Sequence, residues 1–131
     1  MSEEHRIQNE SRNALVGEGL YFRANVGQAW VGEVVTRLPN GDMLLRNARP
    51  FSTGLPAGFA DLFGLTPVVV TPDMVGQRVA VFTAIEFKAT KGRASEKQAA
   101  FLKAVNDNGG RAGVARSAKD ALRVVRGVEG E

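Results

Sequence analysis

The sequence predicts an α/β domain in which a mixed central β-sheet is flanked by helices. Three observations predict it: a helical pattern opens the chain, strand patterns fill its middle, and a strand–helix–strand–helix order closes it. The last two strands, joined by a helix, are expected to be parallel with a right-handed crossover. The 131 residues fit a single domain over residues 1–131, with residues 126–131 as a frayed tail.

The first part of the chain predicts a helix followed by a strand. Helical spacing predicts a helix over residues 3–16, with Ile7 on its more apolar side and Gly17 ending it. The segment LYFRANV is typical of a strand, which is expected to end at Gly27.

A hairpin is predicted next. Residues 30–36 and 42–46 have strand patterns and are joined through Asn40-Gly41, a dipeptide that favours tight hairpin turns. Residues 47–58, NARPFSTGLPAG, contain two prolines and two glycines, so they are predicted to form a loop.

The longest predicted strand lies in the second half. After a strand-like TPVVV segment at residues 66–70, residues 78–89 are apolar on both faces until Glu86 and Lys88. Apolar character on both faces is typical of a central strand that is covered on each side.

Two helices with a short strand between them complete the chain. Ser95 with Gln98 three residues later is a capping-box pattern that predicts a helix start. A Gly-Gly pair ends that helix, RAGVA is a short strand, and Ser117 starts the last helix. Ala118, Ala121, Leu122 and Val125 are expected to pack inward from that helix.

Composition excludes several kinds of site. The chain contains no cysteine, which excludes disulfides, thiolate zinc sites and a cysteine nucleophile. Its beginning is polar and no stretch is long and apolar enough to span a bilayer, so we expect a cytoplasmic protein. The net charge is +3, with Lys88, Lys91, Arg93 and Lys97 close together. This cluster suits a polyanionic partner, although a solvated charged face is the simpler interpretation.

Glu86 and Lys88 are the clearest candidates for chemistry. Because strand side chains alternate, both are expected to project from one face, where an apolar pattern breaks. Asp61 is the best candidate for a second carboxylate, since it stands in the largely apolar segment GFADLFG. Two carboxylates and a backbone carbonyl suit Mg²⁺ or Mn²⁺. A nearby lysine would orient water and stabilise a phosphate.

Together these segments resemble the VRR-NUC family, the virus-type replication-repair nucleases of the PD-(D/E)XK superfamily. The matching stretches are GFADLFG, AIEFKATKGRASEKQAAFL and GGRAGVARSAKDAL, and the earlier IQNESRNAL and FRANVGQAWVG are similar to phage members. Ala60 departs from the pattern, because proline or serine often precedes the aspartate in this family. The resemblance implies a PD-(D/E)XK-like core.

The resemblance also implies roles for particular residues. It makes Asp61 and Glu86 the metal-binding carboxylates, Lys88 the catalytic lysine and the Phe87 carbonyl a further metal ligand. The family adds an acid from the first helix, for which Glu4 is the first choice and Glu10 the alternative. Gln98 matches a recurrent glutamine that is expected to orient Lys88 or the phosphate.

Phosphate contacts are expected from a further set of polar side chains, namely Arg23, Asn25, Gln28, Lys91 and Arg93. Such contacts have no sequence signature of their own, so a solubilising surface is an equally good interpretation of these residues.

The activity that the resemblance implies is Mg²⁺- or Mn²⁺-dependent hydrolysis of DNA phosphodiester bonds, on branched substrates such as flaps or four-way junctions. A small nuclease of this kind is expected to form a homodimer that cuts two strands. One alternative is a DNA-binding or assembly module that keeps the nuclease fold without turnover. A structural phage protein is a further alternative, which predicts no salt-sensitive association with nucleic acid.

Overall fold

The computed structural model describes residues 2–25 and 28–128, in which three α-helices and six strands form. In chain order the elements are α1 (Glu3–Ala14), β1 (Leu20–Arg23), β2 (Gln28–Arg37), β3 (Met43–Ser52), β4 (Leu62–Leu65), a 3-10 turn (Pro72–Met74), β5 (Thr83–Phe87), α2 (Glu96–Asp107), β6 (Arg111–Ala115) and α3 (Ala118–Arg126). The predicted α/β class is confirmed. None of the described helices is long and apolar enough to cross a membrane.

The described strands pair as small two-stranded sheets: β1 with β4, β2 with β3, and β5 with β6. By its internal contacts the chain divides into two compact units. The first unit comprises Met1–Tyr21 with Gly64–Glu131, and the second comprises Phe22–Phe63. The first therefore contains the helices with β5 and β6, and the second contains the β2–β3 hairpin.

The β2–β3 hairpin forms around the predicted Asn-Gly turn. Gly41 has a φ of +95°, a conformation that glycine adopts without a steric cost. Asn40 Oδ1 accepts a hydrogen bond from the Asp42 N–H at 3.0 Å, which closes the turn. The predicted hairpin is confirmed, and its strands are antiparallel and ten residues long each.

The predicted loop over residues 47–58 is wrong in its first part, because β3 continues to Ser52. The pairing shifts at a bulge where Asn47 has a positive φ of 54°, and then resumes with Arg49 opposite Val31 and Pro50 opposite Trp30. Pro50 lacks an N–H, and a strand with a free edge tolerates that loss. The prolines and glycines therefore marked an irregular strand as well as a loop.

In the first unit, β5 and β6 are parallel, as predicted. Their register runs from Thr83 opposite Arg111 to Phe87 opposite Ala115. Helix α2 connects the strands, and both α2 and α3 pack against them. Val105 of α2 and Ala115 of β6 have no exposed surface, so the core of this unit lies between α2 and β6.

Two strand predictions in this unit are wrong. Residues 66–70 have no regular secondary structure, and the strand predicted over residues 78–89 is limited to the five residues of β5. A strand needs a hydrogen-bonding partner, and β6 has five residues because a Gly-Gly turn precedes it. Val79 and Val81, ahead of β5, are exposed, so the prediction of two covered faces fails there.

The helices begin at the predicted signals. α1 is capped by Ser2, whose Oγ accepts a hydrogen bond from the His5 N–H at 3.1 Å, and ends shortly before Gly17, where φ is +90°. Ile7 of α1 is half-exposed. The predicted helix is confirmed, although it ends at Ala14.

Helix α3 starts after Ser117, as predicted, but presents a different face to the strands. Val124 lies over Gly113, where an added Cβ would be 3.0 Å from Val124 Cγ2. Ala118, Leu122 and Val125 are exposed, so the prediction that they pack inward is wrong, whereas Ala121 is partly buried. The side of α3 that faces the strands therefore includes Val124.

Two predictions fall partly outside the described residues. The strand expected to end at Gly27 is described to Arg23, and Gly27 itself lies outside. In the tail predicted to fray, Arg126 is the last residue of α3 and Gly127 caps it, whereas residues 129–131 lie outside.

Candidate active site

Glu86 and Lys88 meet at the end of β5. Glu86 is the penultimate residue of the strand, and the backbone N–H of Lys88 continues the ladder by donating to the Ala115 carbonyl at 3.1 Å. Strand alternation therefore directs both side chains to one face. Lys88 Nζ lies 3.2 Å from Glu86 Oε1, and the side chains are 24% and 29% exposed. This is a half-buried ion pair, which solvent screens less than a fully exposed one.

Gln98 completes the cluster from the first turn of α2. Its backbone N–H donates to Ser95 Oγ at 3.1 Å, and its Oε1 accepts from the Ser95 N–H at 2.9 Å, so the predicted capping box is present. Its remaining polar atom, Nε2, donates to Glu86 Oε1 at 3.0 Å. Gln98 was expected to orient Lys88 or a phosphate; in the structure its amide contacts Glu86.

The Glu86 carboxylate is therefore held by two donors. The Lys88 ammonium and the Gln98 amide both donate to Glu86 Oε1. Gln98 is fixed in turn by the helix cap, so the Glu86 orientation is linked to the start of α2. Both contacts use the same oxygen, and Oε2 is the carboxylate oxygen that they leave to another ligand.

Asp61 belongs to the second unit. It precedes β4, and its backbone carbonyl accepts a hydrogen bond from the Ala24 N–H at 3.0 Å. Around it Phe63 packs against Phe59 and Phe22, with ring centroids 5.5 and 5.7 Å away. The Asp61 side chain is exposed despite these apolar neighbours, and its role as a metal ligand stays a prediction.

The acids of α1 differ from one another in their partners. Glu10 Oε1 accepts a hydrogen bond from Arg6 at 3.0 Å, an ion pair one helical turn apart. Glu4 lies in the first turn of α1 and is exposed. Within neither unit do three or more Asp, Glu or His side chains of the described residues gather as a metal-binding group.

The basic side chains predicted to contact phosphates fall in two places. Lys91 and Arg93 are exposed in the turn between β5 and α2, next to the Glu86 cluster in sequence and in the fold. In the second unit, Arg23 ends β1, Gln28 begins β2, and Asn25 stands between them; all three are exposed.

Sequence reasoning missed Arg116. It follows β6 directly and its Nη2 donates to the Gly92 carbonyl at 2.8 Å, so it contacts the basic turn that carries Lys91 and Arg93. One signal in the sequence was available, since the residues that follow two parallel neighbouring strands lie at the same edge of the sheet.

Comparison with known families identifies the family of this chain. The VRR-NUC domain model matches residues 39–119, well over half of the chain. The chain belongs to the VRR-NUC family. VRR-NUC domains have the PD-(D/E)XK-like fold and a nuclease-type function in DNA replication and repair. A comparison with curated proteins and one with solved structures gave no match.

The limits of the VRR-NUC match divide the candidate residues. Inside it are the carboxylates, the lysine and the glutamine of the cluster, together with the basic turn: Asp61, Glu86, Phe87, Lys88, Lys91, Arg93 and Gln98. The candidates before it are Glu4, Arg23, Asn25 and Gln28. The match gives the extent of the domain, and the roles of the residues in both sets stay predictions.

Proposed function

We propose that this VRR-NUC domain is an Mg²⁺- or Mn²⁺-dependent deoxyribonuclease that hydrolyses phosphodiester bonds in branched DNA, such as flaps or four-way junctions. The observation that carries the proposal is the pair of donors on Glu86: Lys88 at 3.2 Å and Gln98 at 3.0 Å. A carboxylate held in this way is ready to bind a cation, because its side-chain torsions are already fixed.

The donor chemistry fits a hard divalent cation. We propose Asp61, Glu86 and the Phe87 carbonyl as ligands, completed by Glu4 or, as the alternative, Glu10. All are oxygen donors, which Mg²⁺ and Mn²⁺ prefer. Glu4 is preferred because Glu10 is paired with Arg6. A bound cation would lower the pKa of a coordinated water and neutralise the phosphate.

The neighbouring side chains position the reactants. Lys88 orients the attacking water and stabilises the charge that develops on the phosphate during attack in line with the departing 3′ oxygen. Gln98 holds Glu86 in place through its amide. Lys91 and Arg93 bind the DNA backbone beside the cluster, with Arg23, Asn25 and Gln28 as further backbone contacts. We place this reaction in the cytoplasm.

A homodimer would allow two strands of one substrate to be cut. The β2–β3 hairpin supports this proposal, since Trp30 is 67% exposed and Leu44 and Phe51 are at least half-exposed on it. Apolar side chains that are exposed in one chain leave water when a second copy covers them, which favours association. We assign a second copy of this chain as the partner. Sedimentation equilibrium tests the assignment: a wild-type monomer at all concentrations contradicts it.

The activity is tested with purified protein and labelled junction or flap DNA in the presence of Mg²⁺ or Mn²⁺. Lys88→Ala is expected to lower the cleavage rate by about 10²–10³-fold, the usual effect of removing one group that stabilises developing charge. The exposed ion pair between Lys103 and Asp107, at the other end of α2, provides the matched control. Lys103→Ala should cleave like wild type.

Equal cleavage by wild type and Lys88→Ala on every substrate would overturn the enzymatic proposal. A non-catalytic module that binds DNA would then be the better assignment. Calorimetric titration with Mn²⁺ separates the two further, because Glu86→Gln and Asp61→Asn should each weaken metal binding if these carboxylates are ligands. Affinity that is unchanged in both variants contradicts the proposed metal site.

A further inference from the structure

The turn after β5 carries basic side chains beside the Glu86 cluster. It closes through a hydrogen bond from the Gly92 N–H to the Ala89 carbonyl at 2.9 Å. Lys91 lies within this turn and Arg93 directly after it, and both are exposed. A short turn with exposed charges has few contacts of its own to fix it, so its orientation depends on anchors from neighbouring elements.

Arg116 supplies such an anchor from the next strand. Because β5 and β6 are parallel and in register, Phe87 lies opposite Ala115, and the residues that follow each strand are neighbours. Arg116 Nη2 donates to the Gly92 carbonyl at 2.8 Å, a charge-assisted hydrogen bond across 24 positions of sequence.

Arg116 is itself held in place from α3. Its backbone N–H donates to Asp120 Oδ2 at 2.9 Å. Asp120 in turn donates its own N–H to Ser117 Oγ at 3.1 Å, so both belong to the N-terminal cap of α3. The orientation of the turn is therefore linked through Arg116 to a helix that packs against β5 and β6.

We propose that Arg116 is a positioning residue for DNA binding: its hydrogen bond to Gly92 holds the turn so that Lys91 and Arg93 contact the DNA backbone next to Glu86 and Lys88. Guanidinium groups have five N–H donors in a fixed plane, which suits a bond that fixes direction as well as distance. The inference rests on the proposed nuclease function for the identity of the ligand.

The anchor is tested first without DNA or metal. Hydrogen exchange of the backbone amides of residues 89–94 should become faster in Arg116→Ala and be partly restored in Arg116→Lys, which keeps one cationic donor. Arg126→Ala is the matched control, since Arg126 is an exposed arginine at the opposite end of α3. Exchange in the turn that does not differ between wild type and Arg116→Ala overturns the proposal.

The consequence for DNA is tested by binding to labelled junction DNA without divalent metal, where no cleavage occurs. Arg116→Ala is expected to weaken binding roughly two- to tenfold, the range for one net hydrogen bond. In the Lys91→Ala/Arg93→Ala background the same change should have almost no further effect, because its effect acts through those two side chains. Additive losses would mean that Arg116 contacts DNA itself, and they overturn the positioning role.

Cleavage kinetics separate positioning from a general structural defect. Arg116→Ala is expected to raise KM while kcat stays within about twofold of wild type, since lost ground-state binding affects KM alone. A fall in kcat with unchanged KM overturns the proposal. If wild-type protein binds DNA but cleaves no substrate, the nuclease function is refuted and the positioning role of Arg116 in DNA binding is kept. If wild-type protein binds no DNA, that positioning role is overturned.

Discussion

The parallel pair β5–β6 and the antiparallel pair β2–β3 differ in how far their residues are buried. β5 and β6 are short, parallel and packed under α2 and α3, and they include or adjoin fully buried side chains. β2 and β3 are twice as long and antiparallel, yet nearly every residue on them is exposed. Backbone pairing alone therefore does not make a core; the helices packed over β5 and β6 make the difference.

The same contrast separates the places where chemistry is expected. At the end of the packed pair, Glu86 and Lys88 are half-buried, and the amide of Gln98 holds Glu86 in place. In the second unit, the exposed Arg23 and Gln28 stand where strands end or begin, without a comparable cluster among the described side chains of that unit. A site needs rigid support, and the β5–α2 junction provides it.

The largest expected effect in this comparison is on the free energy of unfolding. It is measured by making the same valine-to-alanine change in each strand pair or its covering helix. Val105→Ala removes two methyl groups from a residue with no exposed surface and is expected to lower the free energy of unfolding by about 2–3 kcal/mol. Val34→Ala makes the same change on β2, where the side chain is 48% exposed, and should cost no more than about 0.5 kcal/mol. Urea denaturation of both variants provides the measurement.

Equal losses in the two variants would break the comparison. If the loss in Val34→Ala also grew with protein concentration, a second copy would be covering the hairpin, as the proposed homodimer requires. A loss in Val34→Ala that is large at every concentration would instead show that the hairpin packs within one chain.

The next largest effect is on activity, and it separates two roles of one side chain. Gln98→Ala removes both the capping contact and the amide that holds Glu86. Cleavage is expected to fall about tenfold if Glu86 is the metal ligand we propose, because such a ligand then loses its support. Ser95→Ala removes the capping hydroxyl and leaves the Gln98–Glu86 contact intact. It should cost about 1 kcal/mol of stability with little change in cleavage.

Cleavage assays and denaturation on both variants decide between the roles. If Ser95→Ala lost as much activity as Gln98→Ala, the glutamine would act through the helix cap and not through Glu86. Wild-type activity in Gln98→Ala would remove it from the site altogether.

Sequence predicted the elements whose signals are local. The capping box at Ser95, the Asn40-Gly41 turn and the start of α3 after Ser117 all follow from side chains that hydrogen-bond the nearby backbone. Strand ends were predicted poorly because pairing partners set them: β5 stops where β6 offers no further partner, and β3 continues past Pro50 because β2 does. The pairing partner of a strand is distant in sequence, so a short stretch of sequence does not show where the strand ends.

The sequence predicted the residues of the site better than the contacts between them. Alternation on a strand brought Glu86 and Lys88 together, and they lie 3.2 Å apart. The contact between Gln98 and Glu86, and that between Arg116 and Gly92, depend on how α2 and β6 pack beside β5. A sequence pattern does not contain the packing of one element against another. For that reason the sequence predicts a contact of Gln98 with Lys88 or a phosphate instead of Glu86, and it does not indicate the contact made by Arg116.

The smallest predicted effect concerns an exposed turn between β4 and β5. The Thr71 hydroxyl donates to the Asp73 carboxylate, and this bond, together with one from the Asp73 backbone, holds the pKa of that carboxyl below its usual value. A lowered folded-state pKa stabilises the fold above the unfolded pKa, and the stabilisation is lost as pH falls through the folded pKa. Because Asp73 is fully exposed, solvent screens this contribution strongly, in contrast to the half-buried Glu86.

Thr71→Ala should therefore raise the pKa of Asp73 toward its ordinary value, whereas Thr71→Ser keeps the hydroxyl and should leave it low. An NMR titration of the Asp73 side-chain carbonyl carbon measures both. Cleavage at neutral pH is expected to be unchanged in either variant, since this turn belongs to neither the cluster nor its supports. A pKa that stays equally low in Thr71→Ala would contradict the assignment of the hydroxyl as the main cause and would transfer that role to the backbone N–H.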